Sequence, residues 1–201
     1  PDHPDVAIRL NNLASLLQTT NRLAEAEPPY RRALVITEAS YGPDHPHVAI
    51  RLNNLALLLQ ATNRLAEAEP LYRRALAITE ASYGPDHPDV AIRLNNLAFW
   101  LQATNRLAEA EPLYRRAVGI LLKFTHATGH EHPRFRTFIN NYARLLAAMG
   151  LGKAQIEAQL NEIVRPFGAS LGGGATPGNG TGPGGSLLGA LGRLARKLFG
   201  R

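Results

Sequence analysis

The sequence has no cysteine. Disulfides, thiol nucleophiles and cysteine-ligated zinc are therefore excluded, and a reducing cytoplasm suits the chain. No apolar run approaches the ~18 residues that a membrane-spanning helix needs, and no signal-peptide pattern opens the sequence. Acid is missing from residues 168–201, which carry Arg193, Arg196, Lys197 and Arg201. The net charge is +6, and removing those four cations leaves +2 on the body. The high pI is thus mostly a property of the tail, and nucleic acid is not an expected partner.

Patterns that carry chemistry are missing too. There is no HExxH spacing, no G-K-[ST] phosphate loop, no carboxylate pair and no Ser/His/Asp set. His126, His130, Glu131 and His132 cluster in sequence, but no single helix holds them, and His132 is the fourth copy of a recurring His-Pro corner. No enzyme activity, catalytic residue, cofactor or metal site is expected. Asn179-Gly180-Thr181 has the form of a glycosylation sequon inside a glycine-rich stretch, and chance accounts for it.

What is present is repetition, and internal repeats decide a fold. Pro43-Asp44-His45-Pro46 returns 42 residues later as Pro85-Asp86-His87-Pro88, and Pro1-Asp2-His3-Pro4 opens the chain with the same words. Between them VAIRLNNLA, NRLAEAEP and YRRA are nearly copied. A worn fourth copy carries His132-Pro133 and Asn140-Asn141.

Each unit holds two helical patterns. Leu52, Leu55, Ala56 and Leu59 fall at i, i+3, i+4, i+7, the spacing of one helix face. Pro46 suits a first helical turn, which needs no N–H partner, and Asp44 precedes it, well placed for the helix dipole. Leu65, Ala68, Tyr72 and Ala75 make the second stripe, with Asn63 as the expected N-cap and Gly84 as the C-cap. Small Ala56, Ala68 and Ala75 let helices approach closely. Pro70 and Pro112 fall inside the second helix, where a kink is expected; Pro28-Pro29 should bend the first copy more.

The order Leu55-Ala56, Ala68, Tyr72, Ala75 resembles the tetratricopeptide repeat (TPR). The 42-residue length, the His-Pro opening and the Leu-Asn-Asn-Leu-Ala and Ala-Glu-Pro-Leu-Tyr strings are similar to the kinesin-light-chain subtype. The likeness is strong over residues 1 to about 125 and weak over 126–167. Near-identity of the copies is more typical of bacterial arrays, so motor transport does not follow. The resemblance implies an all-α, right-handed superhelical solenoid of antiparallel helix pairs. Its expected parts are repeats at 1–42, 43–84 and 85–129, and a degenerate repeat with a capping helix at 130–167. A Gly/Pro-rich linker at 168–185 and a basic amphipathic helix at 186–201 follow. Ile156, Leu160, Ile163 and Val164 form the capping stripe, stopped by Pro166 and Gly168.

The resemblance also implies a protein- or peptide-binding scaffold whose first helices line a concave groove. The position matching the family's groove asparagine is Asn12, Asn54, Asn96 and Asn141. Amides at these positions either grip an extended peptide backbone or bond the neighbouring helix. The preceding Asn11, Asn53, Asn95 and Asn140 are open to both roles. Arg9, Arg51 and Arg93 lie three residues earlier, where they rim the groove and favour a partner with acidic residues, or simply face solvent. Ser15, Leu57 and Phe99 vary at one groove position, and Trp100 beside them is either pocket or core. Two other readings stay open: a sensory or regulatory C-terminal array of a larger multidomain protein, and a self-assembling structural solenoid. The chain opens inside a repeat, so we expect a piece of something longer, with an apolar face at its N-terminal end that is free to self-associate. In residues 186–201, leucines and Phe199 share one helical side and the cations the other, which implies peripheral membrane contact or docking on protein.

Overall fold

Proline has no amide hydrogen to lose in a first helical turn, and α3 (Pro46–Ala61) starts on Pro46 in the computed structural model. The structure describes residues 3–167. They divide into two compact units, split after Pro85.

The first unit contains α1 (Pro4–Thr19), α2 (Leu23–Tyr41), α3 and α4 (Leu65–Tyr83). α1 packs on α2, α3 on α4, and α2 on α3. Each first helix is capped by histidine: Nδ1 of His3 and of His45 accepts the amide of Asp5 and of His47, both at 3.2 Å. The cap thus comes from the His-Pro word itself. The N-cap expected at Asn63 is corrected. Asn63 sits at φ 58°, in the left-handed region that asparagine tolerates, and Arg64 occupies the cap position without a side-chain cap bond. Asn63 therefore turns the chain between the paired helices. Gly84 closes α4 at φ 84°, as its sequence position implies. α2 and α4 run on unbroken across Pro28-Pro29 and Pro70.

Val48, Ala49, Leu52, Ala75 and Ile78 form a buried cluster, with Leu34 and Leu71 packed on it. The tyrosine of each second helix is buried and its hydroxyl donates to a glutamine at the end of the first: Tyr30 to Gln18 at 3.1 Å and Tyr72 to Gln60 at 2.8 Å. Polar ties also join successive hairpins. Arg64 reaches Glu27 at 2.6 Å, and Arg74 reaches Glu38 at 2.7 Å and the Pro43 carbonyl at 2.9 Å.

The second unit contains α5 (Pro88–Ala103), α6 (Leu107–Thr128), α7 (Phe135–Ala148) and α8 (Lys153–Val164), followed by a 3-10 turn at Arg165–Phe167. α5 packs on α6, α6 on α7, and α8 on both α6 and α7. Phe135, Phe138, Ile139, Tyr142, Leu145 and Leu146 bury the inner side of α7. α8 buries Ile156, Leu160 and Val164. The Tyr142 hydroxyl donates to Glu111 at 2.6 Å, and Arg115 binds Gln159 and, at 3.2 Å, Glu162. The linker and tail expectations, residues 168–201, lie outside the described residues.

Candidate functional site

In the first three Asn-Asn pairs the first Asn is buried and the second lies further toward the outer side of its helix. In the first unit Asn11 and Asn53 are buried, Asn54 is half-buried and Asn12 is exposed. The Nδ2 of Asn54 donates to Oδ1 of Asn11 at 2.9 Å, tying α3 to α1. In the second unit Asn95 is buried, while Asn96 and Asn141 are half-buried. Asn141 donates to Oδ1 of Asn95 at 3.0 Å, tying α7 to α5. Within each unit one amide pair therefore links the first helices of two hairpins, the kind of bond to a neighbouring helix that the sequence raises as an alternative. Asn53 and Asn95 are buried, at 4% and 7% exposure.

The outer side of α3 presents His47, Ile50, Arg51, Asn54 and Leu57, spaced at i, i+3, i+4, i+7 and i+10. His47 and Ile50 are exposed, and Arg51 and Leu57 are half-buried. Burial holds the Arg51 guanidinium below the ordinary arginine range, with Tyr41 opposing that shift. Its Nε has no hydrogen-bond partner. The matching side of α5 presents half-buried Arg93 and Asn96 and exposed Phe99. Trp100, one residue on, is 3% exposed against 51% for Phe99. Trp100 is thus core, stacked under the Arg106 guanidinium at 5.4 Å, and Phe99 is the aromatic group offered outward. On α1 the same positions are exposed Arg9, Asn12 and Ser15.

A second surface lies on α1. Leu13 and Leu16 are 48% and 61% exposed, whereas their equivalents Leu55 and Leu58 in α3 are 1% and 0% exposed. Leu10, Leu13, Leu17, Arg22, Glu25, Pro28, Pro29 and Arg32 line an open groove of 430 Å³ there. Sequence reading named the end but not these residues.

Among the described residues no three His, Asp or Glu side chains come together as metal ligands, and no helix is long and apolar enough to cross a membrane. A tetratricopeptide repeat model matches residues 5–81 and 52–123, together more than half of the chain. The chain belongs to the tetratricopeptide repeat family. TPR units of this kind serve generally as protein-interaction scaffolds, and nothing here shows catalysis. The fold resembles BtubC (BKLC) from P. vanneervenii, with a TM-score of 0.70 and 22% identity over 90% of this chain and 70% of that one. It also resembles a kinesin-light-chain-like protein of Podospora anserina with nearly identical TPR-like repeats. There the TM-score is 0.65, with 19% identity over 100% of both chains. At these identities the likeness concerns the fold, and the all-α arrangement of paired TPR helices expected from the sequence is borne out. No curated protein matches the chain by sequence.

Proposed function

We propose that the chain captures an extended, acidic peptide on the outer sides of its first helices. The observation that carries this reading is the shared face of α5. There exposed Phe99 stands one helical turn from Asn96, and Asn96 one turn from Arg93, so an apolar anchor, an amide and a cation follow one another along the helix. In the first unit Leu57, Asn54 and Arg51 repeat the arrangement on α3. Such a face suits a peptide that carries an apolar side chain flanked by carboxylates. Asn12 is exposed and offers an amide to backbone; Asn54 and Asn141 act mainly by holding the helices in place. The test is selection of decapeptides from a displayed library on the full chain, followed by affinity measurement with Phe99→Ser and Leu57→Ser. Selected peptides rich in acid that bind these variants about tenfold more weakly support the reading. Unchanged affinity in both variants refutes it.

A second reading, self-association, rests on the exposure of Leu13 and Leu16. Apolar positions that are covered in α3 and open in α1 fit a like surface on another copy. Sedimentation equilibrium of the full chain and of a Leu13→Glu/Leu16→Glu variant tests it. Equal masses at every concentration overturn it.

A further inference from the structure

One position breaks the copying of the repeats in a way the groove reading does not use. Where repeats 1 and 3 have Asp5 and Asp89, repeat 2 has His47. In those repeats the carboxylate sits beside the capping imidazole, Asp5 at 3.5 Å from His3 and Asp89 at 3.8 Å from His87. In repeat 2 the same place holds a second imidazole. The His45 and His47 rings meet edge to face at 4.8 Å, the Tyr41 ring stacks on His45 at 4.7 Å, and His47 stands edge-on to Tyr41 at 5.1 Å. Arg51 lies one turn along α3 on the same side, its Nε buried without a partner.

We propose that Tyr41, His45, His47 and Arg51 form a carboxylate-binding site at the corner between α2 and α3. It would take an acidic group from the bound peptide in place of the aspartate that the sibling repeats supply themselves. The proposal rests on the peptide-capture reading and adds where one carboxylate goes. His45 Nδ1 accepts the His47 amide, so a neutral His45 carries its proton on Nε2, a donor for a bound carboxylate. His47 and Tyr41 are exposed and accessible. The nearby acids do not fill the site. Glu38 of α2 is bonded to Arg74 of α4, which also holds the Pro43 carbonyl, and exposed Asp44 contributes no bond to these rings. Two imidazoles and a guanidinium thus gather where repeats 1 and 3 carry an aspartate, Asp5 and Asp89. Without an anion, burial, then His45 and Arg51, depress the His47 pKa. A bound carboxylate reverses that, so binding strengthens as pH falls.

The test uses the full chain and three short probe peptides read by fluorescence anisotropy and by imidazole NMR. One is blocked at both ends with glutamates about a central leucine, one has glutamines instead, and one has glutamines with a free C-terminal carboxylate. We expect the glutamate peptide to bind more tightly at pH 5.5 than at 7.5 and to raise the His47 pKa. His47→Asp, the residue of the sibling repeats, should weaken it about tenfold, the scale of one charge-assisted hydrogen bond. Arg51→Gln should act likewise. If the third peptide alone moves the imidazoles, the site takes a chain terminus; if the glutamate peptide does, it takes side chains. Equal binding to the parent and both variants, or imidazole shifts as large with the blocked glutamine peptide, overturns the proposal. The methyl signals of Leu57 and the ring signals of Phe99 separate the two readings. Their response without an imidazole response leaves peptide capture standing and the carboxylate site refuted. An imidazole response without theirs does the reverse, and silence of both refutes both.

Discussion

Replacing Asn54 with alanine removes the donor that lies 2.9 Å from Asn11 Oδ1. Asn11 is 8% exposed, so water replaces that donor poorly. A net hydrogen bond contributes about 1 kcal/mol, and a buried acceptor left alone costs about 1–3 kcal/mol. We therefore expect Asn54→Ala to lower stability by about 1.5 kcal/mol. Asn11→Ala should cost a similar amount, since it removes the acceptor and leaves Asn54 half-buried. Because both act on one bond, the double variant should cost less than the sum, with a coupling of about 1 kcal/mol. Urea denaturation followed by circular dichroism measures all four proteins at equal slope. Additivity within about 0.3 kcal/mol would refute the view that this amide pair ties α1 to α3. Retained peptide affinity in the folded Asn54→Ala variant would further place its contribution in packing.

Trp100→Ala should destabilise by about 3–5 kcal/mol because the ring is 3% exposed. Phe99→Ala should stay within about 0.5 kcal/mol of the parent, and thermal melting distinguishes the two. Tyr72, Tyr114 and Tyr142 have phenols raised well above the ordinary range, chiefly by burial. Their folded-state pKa exceeds the unfolded value, so the stability they contribute persists below about pH 10 and is lost as pH rises through the folded value. Ultraviolet titration should show these rings ionising only with loss of helix. His132 is shifted the other way, below its ordinary value, by burial and then by Arg134, against the pull of Asp89. The unfolded chain then binds the proton more tightly, so stability falls as pH drops through about 6.5. A urea midpoint lower at pH 5.5 than at 7.5, with the gap narrowed in His132→Asn, is the expected result.

The helices were legible because their punctuation is chemical. Pro46 has no amide to lose and Gly84 accepts a positive φ, so both boundaries follow from residue type. Asn63 was misread for a related reason: asparagine suits an N-cap and a left-handed turn alike, and only the backbone at φ 58° separates them. The site was less legible. Phe99 and Trp100 are adjacent and both aromatic, and the roughly 100° helical turn between them sends one outward and one into the core. The pairing of Asn54 with Asn11 depends on how neighbouring helices are offset, which a period of 42 does not reveal. His47 was visible as a departure from the copied text, yet its contact with Tyr41 and His45 needed the corner to be folded.

The ties between the first two hairpins have a consequence for how such a chain changes over generations. Asn11, Glu27 and Glu38 accept from Asn54, Arg64 and Arg74, and every one of these residues recurs 42 positions later as Asn53, Glu69, Glu80, Asn96, Arg106 and Arg116. A duplication or loss of 42 residues therefore carries a donor set and an acceptor set together. The new junction has the same wording as the old ones. Recombination between near-identical gene segments, which shifts by whole units, thus changes the length of the chain while keeping each donor set beside its acceptor set.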